Sequence, residues 1–377
     1  MIGKYFPPVP GGIEQYVAGL AALAAEDTRL TVLVHAVGMR SSTVVADGYR
    51  LIRRGSWMKV GSQPISPGMA LDMLRERYDL IHLHVPNVFA VALVLMFSRG
   101  ARIVVTHHAD MVGFGRSGRL AEWLYRKLLS RTHMVTLLSL ANQAIARDID
   151  GAGVELAALP VALDPRRYVA ANAVAARVRA LRRQHAEAAA LFVFVGRLVS
   201  YKGVDVLIDA LAQAPGIHCL IVGDGPLRAT LEARALALGV ARRVSFLGAV
   251  DAEQKLAALH AADALVLPSV SAAETFGIVQ VEAQLCGLPV VASDLPTGVT
   301  DVTRHGETGL LAPPGDARAL AAAMSRLANN KDLRVRLGAL GRARALTCYT
   351  PAAVRPALLD IYARALKGQN AIMPPPR

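Results

Sequence analysis

Hydrophobic positions alternate between two periods along the chain. Short apolar runs of strand length occur at residues 30–34, 79–84, 103–106 and 134–138. Longer stretches of helical spacing lie between them, at 13–25 and 120–130. Alternation of this kind predicts a parallel sheet with helices on both faces. Around residues 159–168 the pattern breaks, with two prolines and an Arg pair leading into an Ala/Arg-rich helical stretch over 170–190. Strand-like runs then return at 191–195, 218–222, 244–246, 264–267 and 289–292. The reading is α/β, with two doubly wound Rossmann-like domains: residues 1–165, residues 166–350, and a closing amphipathic helix from 351 that returns toward the first domain. A Pro-rich tail ends the chain.

In an open parallel sheet, ligands bind beyond the carboxyl ends of the strands. The loops after Val34, Thr106, Val195, Val222, Leu267 and Ala292 are therefore expected to line one cleft between the two domains.

Composition narrows the class. A chain of 377 residues exceeds one ordinary core. The longest apolar run, residues 88–97, is half the length of a membrane span and reads as a buried helix. No basic stretch followed by an apolar one opens the chain, so no secretion signal is expected. Cys219, Cys286 and Cys348 are scattered and odd in number, which fits a reducing cytosol. The net charge of +13 attracts polyanions: nucleic acid, anionic lipid or a phosphorylated substrate. A soluble basic protein without such a partner is the plainer alternative.

Three motifs carry candidate chemistry. Glu274-Thr-Phe-Gly-Ile-Val-Gln-Val-Glu282 places two acids around an expected helix over 276–285. A helix start offers free N–H groups and positive potential to a diphosphate, and the acids can accept bonds from sugar hydroxyls. A capping Glu and an ordinary helix Glu would give the same pattern. Val195-Gly-Arg-Leu-Val-Ser-Tyr-Lys-Gly203 puts Arg197 and Lys202 in a strand-to-helix loop, suited to a diphosphate or simply solvated. Val222-Gly-Asp-Gly-Pro226 allows close backbone approach at Gly223, or is an ordinary turn.

In this order and context the motifs resemble retaining glycosyltransferase family 4, which has the GT-B fold. The likeness extends to Gly287-Leu-Pro-Val-Val-Ala-Ser-Asp294 and Arg304-His-Gly-Glu-Thr-Gly-Leu310. In the first half it includes Gly3-Lys-Tyr-Phe-Pro-Pro-Val-Pro-Gly-Gly-Ile-Glu14, Asp79-Leu-Ile-His-Leu-His-Val-Pro-Asn87 and Val105-Thr-His-His-Ala-Asp110. The resemblance implies that Arg197 and Lys202 hold the diphosphate and Glu282 the ribose. It also implies that Glu274 and the backbone of Phe276, Gly277 and Ile278 meet the donor sugar. His108 would be the active-site histidine and Gly12 part of the first glycine-rich loop. The donor would be a nucleotide sugar, with a lean toward mannose- or rhamnose-type donors of bacterial polysaccharide enzymes. The acceptor would be a glycan or a polyprenyl-diphosphate-linked glycan.

Adjacent histidines point opposite ways in a strand, so His107 is expected to be packed while His108 reaches the site. His82 and His84 lack an acidic or Cys partner at metal spacing and read as structural or cleft-lining. Asp148-Ile-Asp150 is read as a solvated helix end. No metal is expected, since cations and helix ends can replace one. Two departures stand out. Only Met1 and Ile2 precede Gly3 where the family has a full central strand, so either the start lies upstream or the domain tolerates a shortened strand. Pro160-Val-Ala-Leu-Asp164 replaces the family's Pro-Asn-Gly.

Residues 116–131 carry five basic residues and one acid, Glu122, around an apolar face with Trp123 and Tyr125. This is a basic amphipathic helix able to lie on an anionic membrane at the cytoplasmic face, or a core helix with a solvated basic side. Rival readings are a GT-B sugar-nucleotide epimerase or hydrolase, separable by product analysis with and without acceptor, and a basic nucleic-acid-binding protein. The latter lacks interleaved aromatics and any recognisable module, so no nucleic-acid partner is expected.

Overall fold

The computed structural model describes residues 1–9, 11–61, 63–110 and 115–367. The side chains of residues 46 and 115–117 lie outside that description, as does the tail 368–377. Two compact units are present. The first comprises Met1–Ala162 and the segment from Pro351 onward; the second is Leu163–Thr350.

The first unit contains α1 (Gly12–Ala25), β1 (Thr31–His35), β2 (Ser42–Ala46), β3 (Tyr49–Arg54), β4 (Met58–Val60), β5 (Gln63–Ile65), α2 (Gly68–Arg75), β6 (Leu80–Val85), α3 (Val88–Phe97), β7 (Arg102–His107), α4 (Gly115–Leu129), β8 (Met134–Leu137) and β9 (Leu156–Ala158). One ladder runs β1-β3-β2 and another β6-β7-β8-β9. Ile2 joins them, bridging Leu33 and Leu83 in parallel. Its N–H donates to His82 O (2.7 Å) and its carbonyl accepts from His84 N (2.9 Å). Met1 to Gly3 thus occupy the central strand position in shortened form. The Met1 amine donates to Thr31 O and is buried, which pushes its pKa down to about 5. A cavity of about 510 Å³ opens beside it, between residues 28–31 and 76–80.

The two faces of this sheet differ. Ile81, Leu83, Val85, Ile103 and Val105 point into an apolar core shared with α2, α3 and α4. On the opposite face, His82, His84, Thr106 and Thr136 are buried together with Tyr16 of α1. The C-terminal helix, Pro351–Lys367, packs on α1, β6 and β7 and brings Tyr362 to the same strip. The apolar run at 88–97 forms α3, as expected, capped by the Asn87 side chain.

The second unit contains α5 (Asn172–Gln184), β10 (Ala190–Val195), α6 (Val204–Gln213), β11 (Ile217–Val222), α7 (Arg228–Ala237), β12 (Val244–Gly248), α8 (Ala252–Ala261), β13 (Ala264–Leu267), α9 (Ile278–Leu285), β14 (Val290–Ser293), α10 (Gly298–Val302), β15 (Gly309–Ala312), α11 (Ala317–Ala328) and α12 (Lys331–Cys348); the C-terminal helix is α13. Its six strands are all parallel, in the order β12-β11-β10-β13-β14-β15. Both faces are apolar and covered, so the strands read as continuous hydrophobic runs. The chain winds one way from β10 through β12 and the other way from β13 through β15. The loops after β10 and β13 therefore flank a topological switch point, where open α/β sheets bind ligands.

Candidate active site

Loops 196–203 and 268–277 leave that switch point side by side. The Val270 N–H donates to Tyr201 O (2.8 Å), tying one loop to the other. This brings Lys202 Nζ to 2.5 Å from Glu274 Oε2, which also accepts from Ser269 Oγ (2.9 Å). Glu274 is buried, and its Oε1 has no partner among the described residues. Arg197, in the same loop as Lys202, is exposed and its guanidinium has no partner among the described residues. Gly223 closes the third side. Its φ of +131° and its distance to the neighbouring loop exclude a side chain: an added Cβ would lie 1.9 Å from Gly196 O.

The helix expected from Phe276 starts two residues later, at Ile278. Gly277 is left-handed (φ +68°) and serves as the N-cap, and a Cβ there would sit 2.6 Å from Leu267 Cδ2. The Phe276 ring turns inward and packs edge-on against Tyr349 (5.8 Å between centroids). Only its backbone can therefore face a ligand. The N–H groups of Ile278 and Val279 begin the helix and carry its positive end, while the Gln280 N–H donates to Gly277 O (2.9 Å). Glu282 lies inside α9, buried, with Oε1 accepting from Lys255 Nζ (2.7 Å) and Tyr168 Oη (3.1 Å). Neither Lys255 nor Tyr168 was legible in the sequence as a partner, because each comes from a different element.

In the first unit Gly12 is the first residue of α1, exposed, at the end of the loop leaving the central Ile2 position. One turn further, Tyr16 meets the His108 ring edge-on (5.0 Å between centroids). His108 is buried beyond the end of β7, with Nε2 3.2 Å from His84 Nδ1 and the rings stacked (5.5 Å). His84 in turn stacks on His82 (4.6 Å). His82 is hydrogen-bonded to Tyr362 Oη (2.8 Å) and Thr106 Oγ1 (2.7 Å). Burial pushes His82 and His108 down to about 3 and His84 well below the ordinary imidazole value, so all three are neutral at physiological pH. His108 can give or take a hydrogen bond but carries no charge. His107 points the other way, stacked on Tyr125 and bonded to its Oη (3.0 Å) and to Asp110 Oδ1 (3.1 Å). His82 and His84 are structural residues of a buried column. Asp148 lies within a 3₁₀ turn, Arg147–Ile149, and Asp150 follows it, so the pair does not end an α-helix as expected.

Two parallel-sheet units of this connectivity define the GT-B fold. Sucrose-phosphate synthase from Thermosynechococcus elongatus superposes with a TM-score of 0.79 at 23% identity, over 97% of this chain and 98% of that one. Anabaena HepE in complex with UDP-glucose superposes at 0.76, 22% identity, over 96% and 98%. Residues 10–167 match the family model for Glycosyltransferase Family 4, and residues 179–344 that for glycosyl transferases group 1. The chain is 31% identical to the D-rhamnosyltransferase WbpZ of Pseudomonas aeruginosa, over 92% of its own length and 90% of the relative's. It is 26% identical to the O-antigen chain mannosyltransferase C of Escherichia coli, over 97% and 98%. It is 30% identical to a phosphatidyl-myo-inositol mannosyltransferase of Mycobacterium leprae, over 96% and 95%. The protein belongs to glycosyltransferase family 4 and is a glycosyltransferase.

Proposed function

We propose that this enzyme moves a hexose or deoxyhexose from a nucleoside-diphosphate sugar to a glycan or polyprenyl-diphosphate-linked acceptor in cell-surface polysaccharide synthesis. The donor is of the GDP-mannose type or a UDP-sugar, transfer retains anomeric configuration, and no metal takes part. The observation that carries this reading is the cationic, glycine-lined corner at the β10/β13 switch point, where Lys202 lies 2.5 Å from Glu274 beside Arg197. The relatives named as mannosyl- and rhamnosyltransferases support the donor class.

As the glycosidic bond breaks, the leaving nucleoside diphosphate gains negative charge. Arg197, the α9 N-terminus, and Lys202 once it exchanges Glu274 for the diphosphate stabilise that charge, as electrostatic contacts to developing charge lower a barrier. When the diphosphate draws Lys202 away, Glu274 is freed to accept bonds from sugar hydroxyls. Glu282 holds the ribose. His108, uncharged, is the first unit's candidate hydrogen-bonding partner for the substrate. With these groups on the leaving-group side, the acceptor attacks an oxocarbenium-like centre from the same face. The basic helix α4 holds the enzyme at the inner face of the plasma membrane, where a lipid-linked acceptor is presented.

The test is a panel of nucleotide sugars with a short acceptor, read by nucleoside diphosphate release and by NMR of the new anomeric centre, with and without a chelator. The expected result is acceptor-dependent release, retention, and no loss with chelator. Release without acceptor, epimerised donor, or inversion would overturn the proposal.

A further inference from the structure

The chain has two tryptophans, Trp57 and Trp123, and both are on the surface of the first unit, 70% and 55% exposed. Tryptophan is usually well covered in a folded protein, so exposure of both is informative. Trp123 belongs to the basic helix α4, where Lys127 lies over its ring (5.1 Å). Trp57 belongs to a separate feature, the hairpin β4–β5.

That hairpin has an inner and an outer strand. Gln63 and Pro64 of β5 are buried, whereas all three residues of β4 are exposed. Met58 and Val60 therefore face solvent beside Trp57. The loop after β1 adds to the same surface: the Ser56 N–H donates to Gly38 O (2.8 Å), fixing the exposed Val37 and Met39 next to the hairpin. The charges beside this apolar surface are of one sign. No acidic residue occurs between Asp47 and Asp72. Arg50 and Arg54 are held by Glu76 and Asp72, whereas Lys59 and Arg40 have no carboxylate partner among the described residues.

Topology relates the two tryptophans. β1 and β3 are parallel, β6 and β7 are parallel, and Ile2 bridges β1 and β6 in parallel. The loops after β1, β3 and β7 therefore leave one edge of the sheet, the last of them leading into α4. On the face below, β5 packs on α3 and α3 on α4.

We propose that the outer strand of this hairpin is a second membrane contact, inserting Trp57, Met58 and Val60 among the acyl chains of anionic lipid while Lys59 and Arg40 meet the headgroups. Apolar side chains with an aromatic ring and flanking cations are the chemistry that lies in such an interface. The proposal rests on the reading that this enzyme works at a membrane, and it adds a site which that reading does not require.

Trp123→Phe leaves Trp57 as the sole indole of the full chain, and Trp57→Phe leaves Trp123. Each is titrated with vesicles of phosphatidylglycerol whose acyl chains are brominated, and with brominated phosphatidylcholine. The expected result is a blue shift and loss of most Trp57 emission on phosphatidylglycerol only. Trp57→Ser combined with Met58→Ser should reduce vesicle co-sedimentation, as should changing Arg119, Arg126 and Lys127 to Gln. Quenching of Trp123 with Trp57 silent would overturn the hairpin contact and leave the membrane reading intact. Neither ring quenched, with no co-sedimentation, would overturn both. Trp57 quenched equally by phosphatidylcholine would contradict the anionic preference. Trp57 responding to a submicellar short-chain polyprenyl phosphate but not to vesicles would make the hairpin an acceptor site instead.

Discussion

Lys202 and Glu274 neutralise one another, so on the proposed reading a diphosphate would exchange one acid for another at the same ammonium. Glu282 faces a different competition. Its carboxylate already accepts from Lys255 and Tyr168, which orients it without filling both oxygens through Oε1 alone. Ribose hydroxyls do not change during transfer, so this contact should serve binding more than turnover. Glu282→Ala is expected to weaken nucleoside diphosphate binding by roughly 10- to 150-fold, the 1.5–3 kcal/mol typical of bonds to a charged group. Calorimetric titration checks this, and an unchanged Kd would remove Glu282 from the nucleotide site. At this scale the sequence was informative where chemistry is local: Arg197, Lys202, Glu274 and Glu282 all stand in short motifs. Ser269, Lys255 and Tyr168 were not legible as partners. Tyr168 is 114 positions from Glu282 and Lys255 is 27 away, and only the fold brings them to one carboxylate.

Elements were legible in proportion to their burial. Most strands of the second unit are buried and stand out as runs, whereas β15 (Gly309–Ala312), which opens with a glycine, was not among the expected ones. By contrast β2 and β3 are partly exposed and carry polar residues between their apolar ones, and β4, β5 and β9 have three residues each. In the three-residue strands periodicity has too few positions to register. The start of α9 was misplaced because Gly277 continues the loop in a left-handed turn that a composition-based reading cannot see. The alternation of β6 and β7 concealed something else: every second residue builds a polar strip inside the core. His82, His84 and His108 are buried and held neutral, with Tyr16, Tyr362, His107 and the Met1 amine as the titratable groups nearby. Their folded pKa values lie below the unfolded value of about 6.5. The unfolded chain therefore takes up protons first as pH falls, and stability is lost progressively below about pH 6.5. Each histidine contributes a slope of about 1.4 kcal/mol per pH unit while it stays neutral in the fold. Denaturant melts from pH 7 to pH 4 should show a steep decline, shallower in His84→Phe. A flat profile would mean that the column is protonated or hydrated in the folded protein.

Over the whole chain, the net charge of +13 is explained only in part by the donor corner. The rest is spread over both units, including the exposed basic side chains of α4, where Arg116 lies outside the described side chains. α13 returns to the first unit, packing on α1, β6 and β7, and Ile2 bridges Leu33 and Leu83 to join the two ladders of that unit. The central claim concerns the second unit: its cations do at the transition state what a metal does elsewhere. The most direct measurement is steady-state turnover of the preferred nucleotide sugar by folded Arg197→Ala and Lys202→Ala, with and without a chelator. Loss of one preorganised electrostatic contact typically costs roughly 100-fold or more in turnover. The account predicts a loss of that size in each variant, a smaller change in nucleotide affinity, and indifference to chelator. Near-normal turnover in both variants, or strict dependence on a divalent ion, would contradict it.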